Sequence, residues 1–213
     1  MMSSGLNVQK RLRSMKKLTI NVRRIWQYSL GVAVLMFIIG IATDSRDVER
    51  YASQMERLMA QGEYQKALEV GARSDKTDKR LMTLRIQALA HEKLLGERLF
   101  AYPIAGKGKD FASQGGDHAL CAALIDKDLD RFVELLPKYY RIDDKLPRYY
   151  REALILYNHL RSNPRILYHD SVMDTDYSDL QELEKKYPEP KARQMAVFNQ
   201  YEGTYWYYYD YIL

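Results

Sequence analysis

The chain has 213 residues, 46% of them hydrophobic and 29% charged, with a single cysteine. That length can bury a core of its own, and one thiol excludes a framework of intrachain disulfides. The net charge of +5 suggests nucleic acid only until it is divided by region, because residues 1–24 hold seven Lys/Arg and no acid, leaving 26 basic and 28 acidic residues for the remainder. The body of the chain therefore lacks the basic footprint that a phosphate backbone requires, and no nucleic-acid partner is expected.

Directly after the basic tail, residues 25–43 form an uncharged run, IWQYSLGVAVLMFIIGIAT. As a helix these 19 residues would extend about 28 Å, close to the thickness of a bilayer's hydrocarbon core. Ile25, Leu30, Leu35, Phe37 and Ile41 mark the apolar side chains of this expected transmembrane anchor. Lys10, Arg11, Arg13, Lys16, Lys17, Arg23 and Arg24 precede it, whereas Asp44 and Asp47 follow. The positive-inside rule then places the N-terminus in the cytoplasm and the remainder in the periplasm, with the inner membrane as the first partner. The tail sets this topology, and its charges can also rest on anionic lipid at about 1 kcal/mol each. A cleaved signal peptide is the rival reading, with Gly40-Ile41-Ala42 as its cleavage site, but the basic region and the apolar run are both long for one. A buried core helix would need a polar face, and none exists between Leu30 and Ala42.

Beyond the anchor, helical periodicity recurs and strand alternation does not. Val48, Tyr51, Ala52, Met55, Leu58 and Met59 repeat at the three- and four-residue spacing of one helix face, up to Gly62. Tyr64, Ala67 and Leu68 form the stripe of a second helix, which predicts a hairpin. Leu81, Leu84, Ala88 and Leu95 predict a third helix, broken at Gly96. The segment AQGEYQKAL resembles the turn and second helix of a tetratricopeptide repeat, and Gly62 and Gly96 stand 34 residues apart, the length of that repeat. Met55 and Leu89 stand where that family prefers small residues, and Pro103 shortens the second hairpin. The stretch 44–102 is read as tetratricopeptide-like hairpins with at least one degenerate repeat.

Residues 103–117, PIAGKGKDFASQGGD, hold four of the eleven glycines and are read as a linker loop. The GKGKD within it lacks the spacing, the Ser/Thr and the preceding strand of a phosphate-binding loop. From 118 to 213 a C-terminal helical region is expected. It opens with a hairpin built on Leu120, Ala123 and Leu124 and on Leu129, Phe132, Val133 and Leu136, with Asp126 or Asp128 as the cap. Asp126, Asp128 and Asp130 alternate as calcium ligands do, yet Arg131 and Pro137 occupy the glycine and glutamate positions of such a loop. Asp174, Asp176 and Asp179 fail the same test, with Lys185 in place of the glutamate. Pro147 suits a first helical turn before the stripe Tyr150, Ala153, Leu154 and Tyr157. A short polar helix is expected over DLQELEKKY, and the chain closes on an aromatic tail. Three adjacent tyrosines, Tyr207, Tyr208 and Tyr209, cannot all face one way, so at least one ring must be exposed or meet a partner.

KDLDRFVELLPKY (127–139), LPRYYREALILY (146–157) and EGTYWYYYDY (202–211) carry a second resemblance. They are similar to uncharacterised membrane proteins of Bacteroidota known only by a domain of unknown function, whose longer members join a multi-pass membrane region to an exported helical-repeat region. That resemblance implies an address and an all-α architecture, and no reaction. The residues agree. His91, His118, His159 and His169 are scattered, Cys121 lies on an alanine-rich face where thiols are inert, and no nucleophile stands beside a base. No catalytic, metal or cofactor site is expected, and the protein is not read as an enzyme. The expectation is a single-pass, membrane-anchored scaffold with a protein partner, since stacked hairpins expose a concave face. The alternative is an exported glycan- or peptide-binding module using the aromatic tail. Tyr205, Trp206, Tyr207, Tyr208, Tyr209 and Tyr211 are the candidate partner or docking surface, docking onto the last hairpins being the simpler role.

Overall fold

The computed structural model describes residues 25–36, 46–111 and 115–212. It divides into two compact units, Met1–Asp47 and Val48–Leu213. In the first, residues 25–36 form a helix whose apolar side chains, including Ile25, Leu30 and Leu35, are exposed. Its twelve described residues rise about 18 Å. Among the described residues no helix is long and apolar enough to cross a membrane. Phe37 and Ile41 of the expected anchor, like the basic tail 1–24, lie outside the described residues.

The second unit is helical, with no strand among its described residues. Its helices are α1 (46–60, of which residues 48–60 belong to this unit), α2 (Tyr64–Glu69), α3 (Lys79–His91), α4 (Leu95–Arg98), α5 (Gly116–Ile125), α6 (Leu129–Tyr139), α7 (Arg148–Leu160), α8 (Ser171–Lys186), α9 (Pro190–Tyr201) and α10 (Tyr205–Tyr211). The apolar stripes read from the sequence are the buried faces. Val48, Ala52 and Met55 of α1, Ala67 and Leu68 of α2, and Leu81, Ala88 and Leu89 of α3 enter one continuous core with Leu120, Leu124, Phe132 and Leu136.

Three hairpins repeat one turn. At α1–α2, α3–α4 and α5–α6 a single residue takes the left-handed conformation, Gly62 (φ 78°), Lys93 (φ 58°) and Lys127 (φ 57°). In each, that residue's N–H reaches back three positions and the next N–H five, as in Glu63 to the Leu58 carbonyl (2.9 Å), Leu94 to Leu89 (2.8 Å) and Asp128 to Ala123 (2.9 Å). This is the Schellman closure, which satisfies the carbonyls that a helix end leaves open. The repeat thus runs Gly62, Lys93, Lys127, at intervals of 31 and 34 residues. The expected break at Gly96 is corrected: α3 ends at His91, and Gly96 lies inside α4. There a Cβ would sit 2.6 Å from the Pro147 Cβ, so this glycine permits close packing against the start of α7. The 34-residue glycine spacing paired a turn with a packing contact.

The segment read as a linker is packed where it is described. Residues Gly108–Asp110 form a 3-10 turn, Phe111 is buried, and the Gly108 N–H donates to Asp126 Oδ1 at 2.7 Å. Asp128, not Asp126, caps α6, accepting from the Arg131 N–H. Pro147 stands at the position before the first turn of α7, without a side-chain capping bond, and its carbonyl accepts from the Tyr150 and Arg151 N–H groups. α7 is buried nearly all round, through Tyr149, Tyr150, Glu152, Ala153, Leu154, Ile155, Leu156 and Tyr157, which is the signature of a central helix. It packs against α4, α6, α8 and α10.

The C-terminal part holds more helix than the sequence patterning shows. The polar helix expected over DLQELEKKY starts eight residues earlier, at Ser171, because Asp170 accepts from the Val172 and Met173 N–H groups. Asp174, Asp176 and Asp179 therefore stand on helix α8. Glu189 caps α9, with Pro190 in its first turn, and Thr204 caps α10 by accepting from the Tyr207 N–H.

Candidate functional site

The site is built on α10. Its first two residues are fixed to α7 by one residue, Glu152, whose side chain accepts from the Tyr205 N–H through Oε2 at 2.6 Å and from Arg148 Nε through Oε1 at 2.7 Å. The Glu152 backbone carbonyl accepts from Trp206 Nε1 at 2.8 Å. A carboxylate at a helix N-terminus satisfies an orphan donor and complements the helix dipole. Glu152 is only 1% exposed, and burial pushes its carboxyl up to about 7 despite the opposing pull of Arg148 and the Tyr205 N–H. Two further bonds tie this end of the chain. Tyr149 Oη donates to the Gly203 carbonyl at 3.1 Å, and Tyr208 Oη to the Ile125 carbonyl at the end of α5 at 2.7 Å.

The rings of α10 divide between two walls of the same chain. Tyr205 and Tyr208 pack on Phe100 at centroid distances of 5.1 and 4.7 Å, and Phe100 also meets Tyr149 edge-on at 5.0 Å. On the other side Tyr207 meets Phe198 of α9 at 5.7 Å and Trp206 meets Tyr177 of α8 at 5.2 Å. Tyr205, Trp206, Tyr207 and Tyr208 are buried, whereas Tyr209 and Tyr211 are half-buried. Of the three adjacent rings, Tyr207 and Tyr208 are met by different elements, and Tyr209 is half-buried beside Tyr205 and Lys127. Burial raises the Tyr205 hydroxyl well above its ordinary range and pushes Tyr208 up to about 12, so both stay neutral. The Tyr205 hydroxyl finds no partner in the core.

Between the hairpins and this tail lies a cleft of about 470 Å³. One wall is the loop Ala72–Asp75 with Phe100–Ile104; the other is Phe198, Glu202, Gly203, Tyr207, Tyr208 and Ile212. Aromatic and aliphatic side chains dominate, with Arg73, Asp75 and Glu202 as charged members, a composition suited to an apolar segment. A buried arginine shapes the first wall from behind. Arg85, 1% exposed, donates to the Gly71 carbonyl at 3.1 Å and lies 5.0 Å over the Tyr102 ring, holding the start of the loop against the residue that lines the cleft. Tyr102 in turn donates to the Leu68 carbonyl at 3.1 Å. Burial lowers the Arg85 pKa, with Tyr102 and Asp78 acting against it.

No second chemistry gathers elsewhere among the described residues. The Cys121 thiol is pushed up to about 12 by burial and lies 3.5 Å from Tyr150 Oη, so it is protonated and unreactive. Asp117 accepts from Tyr140 and Tyr150 at 2.7 and 2.8 Å, a pairing that satisfies buried hydroxyls. His91 stacks on Tyr64, His159 lies against Tyr177, and His169 stands 3.7 Å from Asp174. No group of three or more His, Cys, Asp or Glu among the described residues could hold a metal ion.

Of these residues, sequence reasoning singled out the α10 rings and missed Glu152, Arg85 and Phe100. Arg148 and Glu152 are visible as a pair four apart on a helix, but nothing in the pattern connects that carboxylate to a backbone more than fifty residues on. Arg85 carried a signal, being a cation among the buried positions Leu81, Met82, Ala88 and Leu89.

Residues 114–212 match a family of unknown function (DUF6057). The matched stretch begins just before α5 and ends with α10, a little under half of the chain, and leaves the first two hairpins and Phe100 outside it. No curated protein and no solved structure matches the chain.

Proposed function

We propose that the protein is a single-pass, membrane-anchored scaffold of tetratricopeptide-like hairpins that docks a protein partner in the cleft beside α10. Residues 25–43 hold it in the inner membrane with the N-terminus in the cytoplasm, and the helical unit faces the periplasm. The charge step across 25–43 supports the orientation, and the likeness of 127–139, 146–157 and 202–211 to exported regions of Bacteroidota membrane proteins supports the address. The observation that carries the docking role is the cleft itself, a concave, mainly apolar surface where hairpin residues Phe100–Ile104 and tail residues Tyr207 and Tyr208 line one space. The alternative, a glycan or peptide binder that stacks its ligand on the tail, draws support from the cleft edges of Tyr207 and Tyr208 and from half-buried Tyr209 and Tyr211, because Tyr205 and Trp206 are spent inside the core.

In-cell photo-crosslinking tests the proposal. A photoreactive residue replaces Ile104 or Phe198 in the tagged full-length chain, with the exposed Tyr139 as the control position. The expected result is one envelope protein, identified by mass spectrometry, captured from 104 and 198, absent from 139, and lost when the Gly62–Leu68 hairpin is disrupted. Equal capture from all three positions, or none above background while the chain stays in the membrane fraction, overturns it.

A further inference from the structure

We draw no further inference here: the strongest candidate, the cleft between the 72–75 loop, the 100–104 segment and α9–α10, belongs to the site already described, and nothing in the structure shows what covers it.

Discussion

Replacing Glu152 by Gln keeps the shape of the side chain and removes half of its accepting capacity. The carboxylate meets two donors with two oxygens, Arg148 Nε at 2.7 Å and the Tyr205 N–H at 2.6 Å. A glutamine has one oxygen, so its amide N–H₂ must point at one of those donors. If it faces Tyr205, the first N–H of α10 is left buried and unpaired, at about 1–3 kcal/mol. If it faces Arg148, that guanidinium can turn toward water, since its side chain is 43% exposed, and the penalty falls to the lower end of the range. Removing a buried charge gives back its desolvation, so the cost is read at pH 5, below the raised pKa, where the group is protonated and about 2 kcal/mol is the central expectation. For a chain of this size each kcal/mol moves Tm by about 2–4 °C, which predicts a loss of about 4–8 °C at pH 5. Glu152→Ala should lose more, about 2–4 kcal/mol, because the Tyr205 N–H is then buried without a partner and the side chain's volume is left empty. The assay is thermal unfolding of the full chain by circular dichroism, followed in parallel, in a Trp26→Phe background that leaves one indole, by the fluorescence of Trp206, whose indole N–H bonds the Glu152 carbonyl. A Gln variant within 1 °C of wild type, with unchanged emission, would refute the claim that this carboxylate fixes α10.

The same group sets a pH dependence. The Glu152 pKa is raised in the folded state from 4.5 to about 7, so the fold binds this proton more tightly than the unfolded chain does. Its contribution is fully present below 4.5 and is lost as pH rises toward 7, and wild type should fall in stability across that window relative to Glu152→Gln, by at most about 3 kcal/mol; denaturant midpoints at pH 5 and 8 for both proteins measure the difference. Gly96→Ala should destabilise by about 1–3 kcal/mol through overpacking on Pro147, whereas Gly62→Ala, with open space around its Cβ, loses only the about 1 kcal/mol of left-handed strain. Denaturant midpoints in the reverse order would restore Gly96 as a turn glycine.

What was legible in the sequence was whatever makes a helix amphipathic. Val48, Ala52 and Met55, or Phe132, Val133 and Leu136, lie on half-buried helices, so burial wrote a 3.6-residue period into them. α10 has no such period because Tyr205, Trp206, Tyr207 and Tyr208 are all buried in succession, and a helix covered on every side shows no contrast between faces. Its signal lay in the caps instead. Gly203-Thr204 before the aromatic run, like Glu189-Pro190 before α9, is a helix start by residue type alone. The turns misled for a related reason. Schellman closure needs one left-handed residue, glycine accepts that conformation without strain, and here lysine does the task twice, so a search for glycine found Gly62 and then a packing residue. The cleft was invisible because its walls come from loops and tails far apart in the chain.

The family match and the packing disagree on where the folding unit begins, and the packing argument is the stronger one. The match starts at 114, yet Phe100, which precedes it, stands among the rings of Tyr149, Tyr205 and Tyr208 and is 6% exposed. Gly96, also outside the match, touches Pro147 and the Tyr150 ring. Residues 114–212 therefore complete their core with a hairpin that lies outside the matched stretch. Truncating Phe100 to Ala removes a ring from that junction, and a Phe-to-Ala change in a core is worth about 3–5 kcal/mol. If the two parts share one core, the loss lowers a single transition, and helix signal and Trp206 emission shift together by about 6 °C or more. If the matched stretch folds by itself, the hairpins melt first and Trp206 keeps its wild-type midpoint. Two separated transitions in the Phe100→Ala variant would place the boundary at 114, and with it would go the reason for a cleft whose walls must move as one body.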